Sequence, residues 1–107
     1  MRESAIHKAV IEHWRSAGLP DTLVATIPNM GAMGQYGLTR GLPDLLVIGP
    51  RIHGYIELKT EKGKLSEHQS KFRELCITRG IPFAVTRGRD EPIRVLQEWG
   101  IVRKEAQ

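Results

Sequence analysis

Two carboxylates and one lysine stand at a spacing that suits chemistry on a phosphate ester. Asp44 follows a proline, and Glu57-Leu58-Lys59 begins thirteen residues after that aspartate. Hard cations such as Mg²⁺ prefer oxygen ligands and take only one or two protein carboxylates, which leaves positions for phosphate and water. A neighbouring lysine can orient the water and offset the charge that builds on phosphorus. Asp44 and Glu57 therefore fit as metal ligands, and Lys59 fits as the residue that acts on the water.

The two halves of this pattern lie on apolar stretches that predict a β-hairpin. The hairpin consists of two strands and a connecting turn, at residues 45–49, 55–60 and 50–54. Because side chains alternate along a strand, Glu57 and Lys59 are expected on one face, about 6.6 Å apart. Ile56 and Leu58 then point to the opposite face, which we predict to be the core face.

The remaining periodicities predict three helices and two further strands. The helices are expected at about residues 3–17, 66–80 and 91–100, and the strands at 22–27 and 81–86. Ser66 and Gln69 form a capping-box pattern at the start of the second helix, and its apolar stripe is expected to be Phe72, Leu75 and Cys76. Pro82 places the last strand near a sheet edge. The order α-β-β-β-α-β-α is typical of an α/β or α+β sandwich.

The motifs together resemble the PD-(D/E)xK nuclease superfamily and, more narrowly, its VRR-NUC family. The resemblance is carried by Gly41-Leu42-Pro43-Asp44-Leu45, by Glu57-Leu58-Lys59 and by Leu65-Ser66 with Gln69. It implies an α/β fold with a restriction-endonuclease-like core, a mixed four-stranded sheet flanked by helices. It also implies a single nuclease domain over residues 1–107.

The same resemblance implies a metal site for Mg²⁺ or Mn²⁺. Its expected ligands are Asp44, Glu57 and the main-chain carbonyl of Leu58, with Lys59 acting on the attacking water. A family glutamine matches Gln69, although the capping box explains that residue equally well.

An acid from the first helix often completes such a site, and two residues compete for the role. Glu3 matches the family position near the helix start, although a glutamate also stabilises a helix N-terminus by itself. Glu12 is most simply a solvated helical charge. We therefore prefer Glu3 as the supporting acid.

Several polar residues beside these elements are candidates for binding DNA, with ordinary solvation as the alternative for each. They are Arg40, Lys62, Lys64, His68 and Asn29. The glycine-rich loop at residues 29–42 lacks the Gly-Lys-Ser/Thr ending of a nucleotide-binding loop, so no nucleotide cofactor is expected.

Composition limits the function classes. The 107 residues carry a net charge of +4, which favours polyanionic partners. One cysteine, Cys76, excludes an intramolecular disulfide and a cysteine-cluster zinc site. No apolar run reaches the roughly 18 residues that span a bilayer, and no signal peptide is evident, so we expect a cytoplasmic protein that contacts no membrane.

These features predict a metal-dependent DNA endonuclease. By resemblance to stand-alone members of the family, we expect a homodimer that acts on branched DNA such as four-way junctions. The alternatives are a non-catalytic DNA-binding or assembly module with the same fold, a flap- or end-directed nuclease, and an RNA-cleaving enzyme. The dimer interface is expected at apolar residues near the C-terminus, which could equally close the monomer core: Ile93, Leu96, Trp99, Ile101 and Val102.

Overall fold

The computed structural model describes residues 1–28 and 39–104, which form three helices and four strands. In chain order these are α1 (Glu3–Ala17), β1 (Leu23–Thr26), β2 (Leu45–Ile48), β3 (His53–Lys59), α2 (Glu67–Thr78), β4 (Phe83–Arg87) and α3 (Asp90–Glu98). The strands make one sheet in the order β1-β2-β3-β4. The first three strands are antiparallel, and β4 lies parallel to β3 after the crossover through α2. The predicted fold class and element order are confirmed, and β4 is an edge strand as Pro82 indicated.

The hairpin between β2 and β3 is tighter than the sequence predicts. Pairing runs from Leu45 opposite Ile56 to Ile48 opposite His53, so residues 53 and 54 belong to the strand rather than to the turn. The connection shortens to residues 49–52, which close through a hydrogen bond of 2.8 Å from the Gly49 N–H to the Ile52 carbonyl. This pairing fixes the register that brings the start of β2 beside the second half of β3.

One face of the sheet carries the main core beneath α1 and α3. Its buried residues come from both helices, three strands and the segment after α3: Ile6, Val10, Val24, Leu45, Val47, Ile56, Leu58, Leu96, Ile101 and Val102. Ile56 and Leu58 therefore point to the core as predicted. Leu96, Ile101 and Val102 are fully buried and Trp99 packs against them, so these four close the monomer core and the predicted dimer interface is wrong for them. Ile93 is half-buried and lies outside this core.

Helix α2 covers part of the opposite face through a narrow apolar contact. Phe72 packs edge-on against Tyr55, with ring centroids 5.4 Å apart, and lies 6.0 Å from Phe83. Cys76, one turn later, is buried, and that burial raises the pKa of its thiol. Leu75 is 52% exposed, so its place in the predicted apolar stripe is wrong. The helix lies over the edge of the sheet, and its apolar contact is made by Phe72 and Cys76, one turn apart.

No helix within residues 1–28 and 39–104 has the length and apolar character that crossing a membrane requires.

Candidate active site

The candidate site forms where β3 extends past the end of β2. Pairing between these strands stops at Leu45 and Ile56, so the next residues of β3 have no partner on that side. Asp44, just before β2, fills this position, because its Oδ2 accepts a hydrogen bond of 2.8 Å from the Leu58 N–H. The Asp44 carbonyl accepts another of 2.9 Å from the Ile27 N–H. Hydrogen bonds to both its main chain and its side chain therefore hold Asp44 beside β3.

Three carboxylates converge at this point. One oxygen from each of Glu3, Asp44 and Glu57 lies within 4.8 Å of the others. Glu57 is 1% exposed, and its Oε1 has no hydrogen-bond partner among the residues that the structure describes. A buried carboxylate oxygen without a partner is costly, and a bound cation removes that cost. The donor set and the unpartnered oxygen therefore fit a divalent cation such as Mg²⁺ or Mn²⁺.

The first helix contributes Glu3 to this cluster and not Glu12. Glu3 occupies the first turn of α1, at the end of the helix that faces the carboxylates of β2 and β3. Glu12 lies more than two turns further along, where it is exposed and stands 4.0 Å from Lys8. The choice made from the family position agrees with this placement.

The environment of Glu57 favours its neutral form when no cation is bound. Burial, and after it the nearby Asp44 carboxyl group, raises the pKa of Glu57 from 4.5 to about 8. The Lys59 ammonium acts in the opposite direction, and Glu3 adds a further increase. Burial disfavours the charged form of a carboxyl group, and each negative charge nearby disfavours ionisation of the next acid.

Gln69 caps α2 and also contacts the carboxylate cluster. Its side-chain oxygen accepts from the Ser66 N–H at 2.8 Å while the Ser66 hydroxyl accepts from the Gln69 N–H at 3.1 Å, so the capping box is confirmed. Its Nε2 donates to Glu57 Oε2 at 3.1 Å. The helix cap therefore holds the Gln69 side chain in place, and the amide of Gln69 in turn holds the Glu57 carboxylate.

Lys59 reaches the same oxygen from the other side. Its Nζ lies 3.6 Å from Glu57 Oε2, and the Lys59 side chain is 10% exposed. Gln69 and Lys59 therefore share one oxygen of Glu57 and leave Oε1 for another ligand. The Leu58 carbonyl is on the strand edge that carries the Leu58 N–H, the edge that faces Asp44, because both groups of one strand residue lie on the same side.

The candidate DNA-binding residues lie on the surface next to this cluster in the chain. Arg40, Lys62, Lys64 and His68 are exposed, and Asn29 lies outside the described residues. The chain beside Arg40 packs on the start of α2. Gly41 has φ of 85°, and a Cβ added there would lie 2.5 Å from the His68 carbonyl group. The chain segments that carry Arg40 and His68 are therefore in contact.

One basic residue that the fold places beside Lys59 is not marked by any motif in the sequence. Arg87, the last residue of β4, pairs in register with Lys59, and its Nη2 donates to the Gly63 carbonyl at 3.0 Å. The available signal was the helix predicted between the two strands, since a strand-helix-strand connection gives a parallel pair and aligns the C-terminal ends of its strands.

Metal binding should depend on pH through Glu57. Because its pKa is about 8 without metal, Glu57 is mostly protonated at pH 7 and must lose that proton to bind a cation. The affinity for Mn²⁺ should therefore rise by up to about tenfold per pH unit from about pH 6 to pH 8, and level off above. Calorimetric titration in two buffers of different protonation enthalpy should show about one proton released per ion near neutral pH.

The matched variant for this experiment is Glu57→Gln, which keeps the volume and cannot ionise. It should bind Mn²⁺ weakly at every pH tested. A wild-type affinity that stays constant between about pH 6 and pH 8 would show that Glu57 is already ionised without metal, and a wild-type affinity in Glu57→Gln would show that Glu57 is not a ligand.

Comparison with known proteins identifies the family and the fold. A model of the VRR-NUC domain family matches residues 1–90. A solved structure described as "VRR_NUC domain" is 28% identical, with a TM-score of 0.65 over 90% of this chain and 94% of the other. A second, described as "VRR_NUC domain protein", is 20% identical with a TM-score of 0.77 over 92% and 88%, and shows the fold alone. A search of curated proteins finds no match. The match over residues 1–90 shows that the chain belongs to the VRR-NUC domain family, a family of nuclease type.

Proposed function

We propose that this chain is a single-domain, metal-dependent endonuclease that hydrolyses phosphodiester bonds in DNA. The observation that carries the proposal is the buried Glu57 carboxylate. One of its oxygens is held by Gln69 and Lys59, and the other has no partner among the described residues and lies beside two more carboxylates. Such an arrangement destabilises the folded protein when no cation is bound, and a bound cation removes that destabilisation.

Each residue of the cluster has a definite part in the proposed reaction. Asp44, Glu57 and the Leu58 carbonyl would hold Mg²⁺ or Mn²⁺, with Glu3 completing the shell. The bound ion supplies Lewis-acid polarisation of a phosphoryl oxygen. Lys59 orients the attacking water and stabilises the negative charge that grows on the phosphate oxygens. Gln69 keeps Glu57 in its orientation, so that its free oxygen faces the metal position.

The surface around the cluster suits a polyanion. Arg40, Lys62, Lys64 and His68 are exposed on the loops and helix start that border the site, and the chain carries a net charge of +4. Phosphate contacts by such residues supply affinity that falls as salt rises. We propose that these residues place the DNA backbone over the carboxylates.

A cleavage assay tests the proposed function. Labelled four-way junction, flap and linear DNA are incubated with Mg²⁺, Mn²⁺ or EDTA, and matched single-stranded RNA is included as a further substrate. We expect cleavage of branched DNA with either ion and none with EDTA. Binding without cleavage under every condition would favour the non-catalytic module, although two carboxylates facing a polyanion hinder a protein that only binds. Cleavage confined to flaps, ends or RNA would support the corresponding rival.

Resolution of a four-way junction requires two incisions on opposed strands, and we propose that a homodimer supplies them. The apolar residues exposed on the sheet are Leu23 and Ile48, which pair with each other across β1 and β2. They are a better dimer contact than the buried C-terminal residues. Light scattering at micromolar concentration should give twice the chain mass of 12.0 kDa.

Ile48→Asp should shift the protein to a monomer, because it places a charge in the apolar contact. Leu75→Asp, on the outer face of α2, is the matched control, because Leu75 is also exposed and apolar. A monomeric wild-type mass, both free and bound to a junction, would contradict the dimer and favour single nicks.

A further inference from the structure

Arg87 links the end of β4 to the loop that follows β3. In the parallel register Arg87 lies directly beside Lys59, so the two side chains leave the same face of the sheet. The Arg87 guanidinium, which is partly buried, donates from Nη2 to the Gly63 carbonyl at 3.0 Å. This bond connects segments 24 residues apart in the chain.

The loop segment that Arg87 holds is packed against the Lys59 side chain. A Cβ added at Gly63 would lie 3.3 Å from Lys59 Cδ and 3.2 Å from the Thr60 hydroxyl. The Gly63 N–H also closes a turn to the Thr60 carbonyl at 3.1 Å. The main chain at Gly63 therefore covers the stem of Lys59 and restricts where its ammonium can go.

The main chain of Arg87 is itself firmly placed. Its N–H donates to Glu91 Oε1 at 3.0 Å, and the next residue, Gly88, donates from its N–H to the Lys59 carbonyl at 3.0 Å. Gly88 has φ of 70° and approaches Glu61 so closely that a Cβ would lie 2.6 Å from Glu61 Oε1. The guanidinium thus extends from a rigid base, which is what a positioning residue requires.

Two cations side by side on neighbouring strands repel each other. The pair is tolerated here because the ends of the side chains diverge: Lys59 approaches Glu57 at 3.6 Å, and Arg87 reaches the Gly63 carbonyl. We propose that Arg87 is a positioning residue that holds the 60–63 turn over Lys59 and so keeps the Lys59 ammonium at Glu57. This inference rests on the proposed nuclease function and adds a residue to its machinery.

Arg87→Met tests the proposal, with Arg89→Met as the matched control. Arg89 is exposed and pairs only with its neighbour Asp90 among the described residues. Arg87→Met should lower single-turnover cleavage about 10- to 100-fold, because a small displacement of a reacting group has effects of this size. Affinity for DNA should change less than about threefold, since one phosphate contact at most is affected. Arg87→Lys should recover part of the rate, since an ammonium can still donate to the Gly63 carbonyl.

A double-mutant cycle separates positioning from an independent role. In a Lys59→Ala background, Arg87→Met should cause no further loss of rate, because the group that it positions has gone. Additive losses would show that Arg87 acts separately, for example on a substrate phosphate, and would overturn the proposal.

A measurement without DNA distinguishes failure of this inference from failure of the proposed function. Acetylation of lysines is followed by mass spectrometry, with the exposed Lys8 and Lys71, which lie outside the turn, as internal references. Arg87→Met should raise the labelling rate of Lys59 several-fold, because the cover over its stem loosens. Gly63→Ala, whose added Cβ crowds Lys59 Cδ, should also change the labelling rate of Lys59. This variant is measured instead if Arg87→Met does not fold.

Failure of the nuclease proposal and failure of the positioning role give different results. If wild-type protein cleaves no nucleic acid but the variants still expose Lys59, the nuclease proposal fails and the positioning contact stands. Unchanged Lys59 labelling in a folded Arg87→Met protein would overturn the positioning role, whatever the cleavage assay shows.

Discussion

Asp44→Asn should abolish metal-dependent cleavage while the fold and the affinity for DNA persist. The substitution removes a ligand charge but keeps a side-chain oxygen that can accept the 2.8 Å hydrogen bond from the Leu58 N–H. Loss of several kcal/mol of transition-state stabilisation corresponds to at least about a thousandfold in rate, since each 1.4 kcal/mol is about tenfold. Single-turnover cleavage in Mg²⁺ and in Mn²⁺ measures the effect.

Asp90→Asn provides the control, because Asp90 is an exposed carboxylate on α3 that pairs with Arg89. This variant should cleave at the wild-type rate. The Asp44→Asn protein should unfold at about the wild-type temperature, because the amide oxygen can still accept from the Leu58 N–H and no core volume is lost. Wild-type rates from Asp44→Asn in Mg²⁺ would refute the active-site assignment.

Lys59→Ala should lower turnover far more than DNA affinity. Lys59 is nearly buried and stands 3.6 Å from Glu57, so it lies at the carboxylate cluster and not on the exposed surface that we propose binds DNA. Removal of one such donor from a reacting site lowers the rate by about 10²- to 10³-fold. Binding should change little, because other basic groups supply the phosphate contacts. Single-turnover rates and equilibrium binding, measured on the same substrate, separate the two effects.

Two further variants sharpen this result. Lys59→Met keeps the hydrocarbon stem beneath Gly63 and should lose as much rate as Lys59→Ala, which shows that the charge is required and not the packing. Lys62→Ala, in the exposed loop, should lower the affinity for DNA and make that affinity less dependent on salt. Its single-turnover rate at saturating protein should equal that of wild type. If Lys59→Ala abolished affinity and left the rate unchanged, Lys59 would be a phosphate clamp.

Burial of Glu57 connects these expectations. A charged acid that is 1% exposed is a liability for stability, and its neighbours only partly offset that liability. Gln69 and Lys59 satisfy one oxygen, while burial, and after it the adjacent acids, raises the pKa of Glu57 to about 8. The site therefore resembles others in which a fold retains an unfavourable electrostatic arrangement for function. Its cost should fall when a divalent cation binds.

Local patterns in the chain were sufficient for the element order and for the central motif. Alternation placed Ile56 and Leu58 in the core and Glu57 on the other face, because strand periodicity needs no knowledge of the partner. The capping box at Ser66 and the edge position signalled by Pro82 depend on adjacent backbone groups alone, so they too could be inferred. The resemblance carried by Asp44, Glu57 and Lys59 led to the family that the comparisons confirm.

Only the tertiary structure decided which side chains meet. The packing of α1 brings Glu3, rather than Glu12, to the carboxylates, and the crossover through α2 aligns Arg87 with Lys59. The same packing buries Leu96 in the monomer and leaves Leu75 exposed. Helical periodicity marks an apolar stripe but not how much of it a neighbouring element covers. That coverage, and every contact between distant segments, depends on how helices and sheet pack in three dimensions.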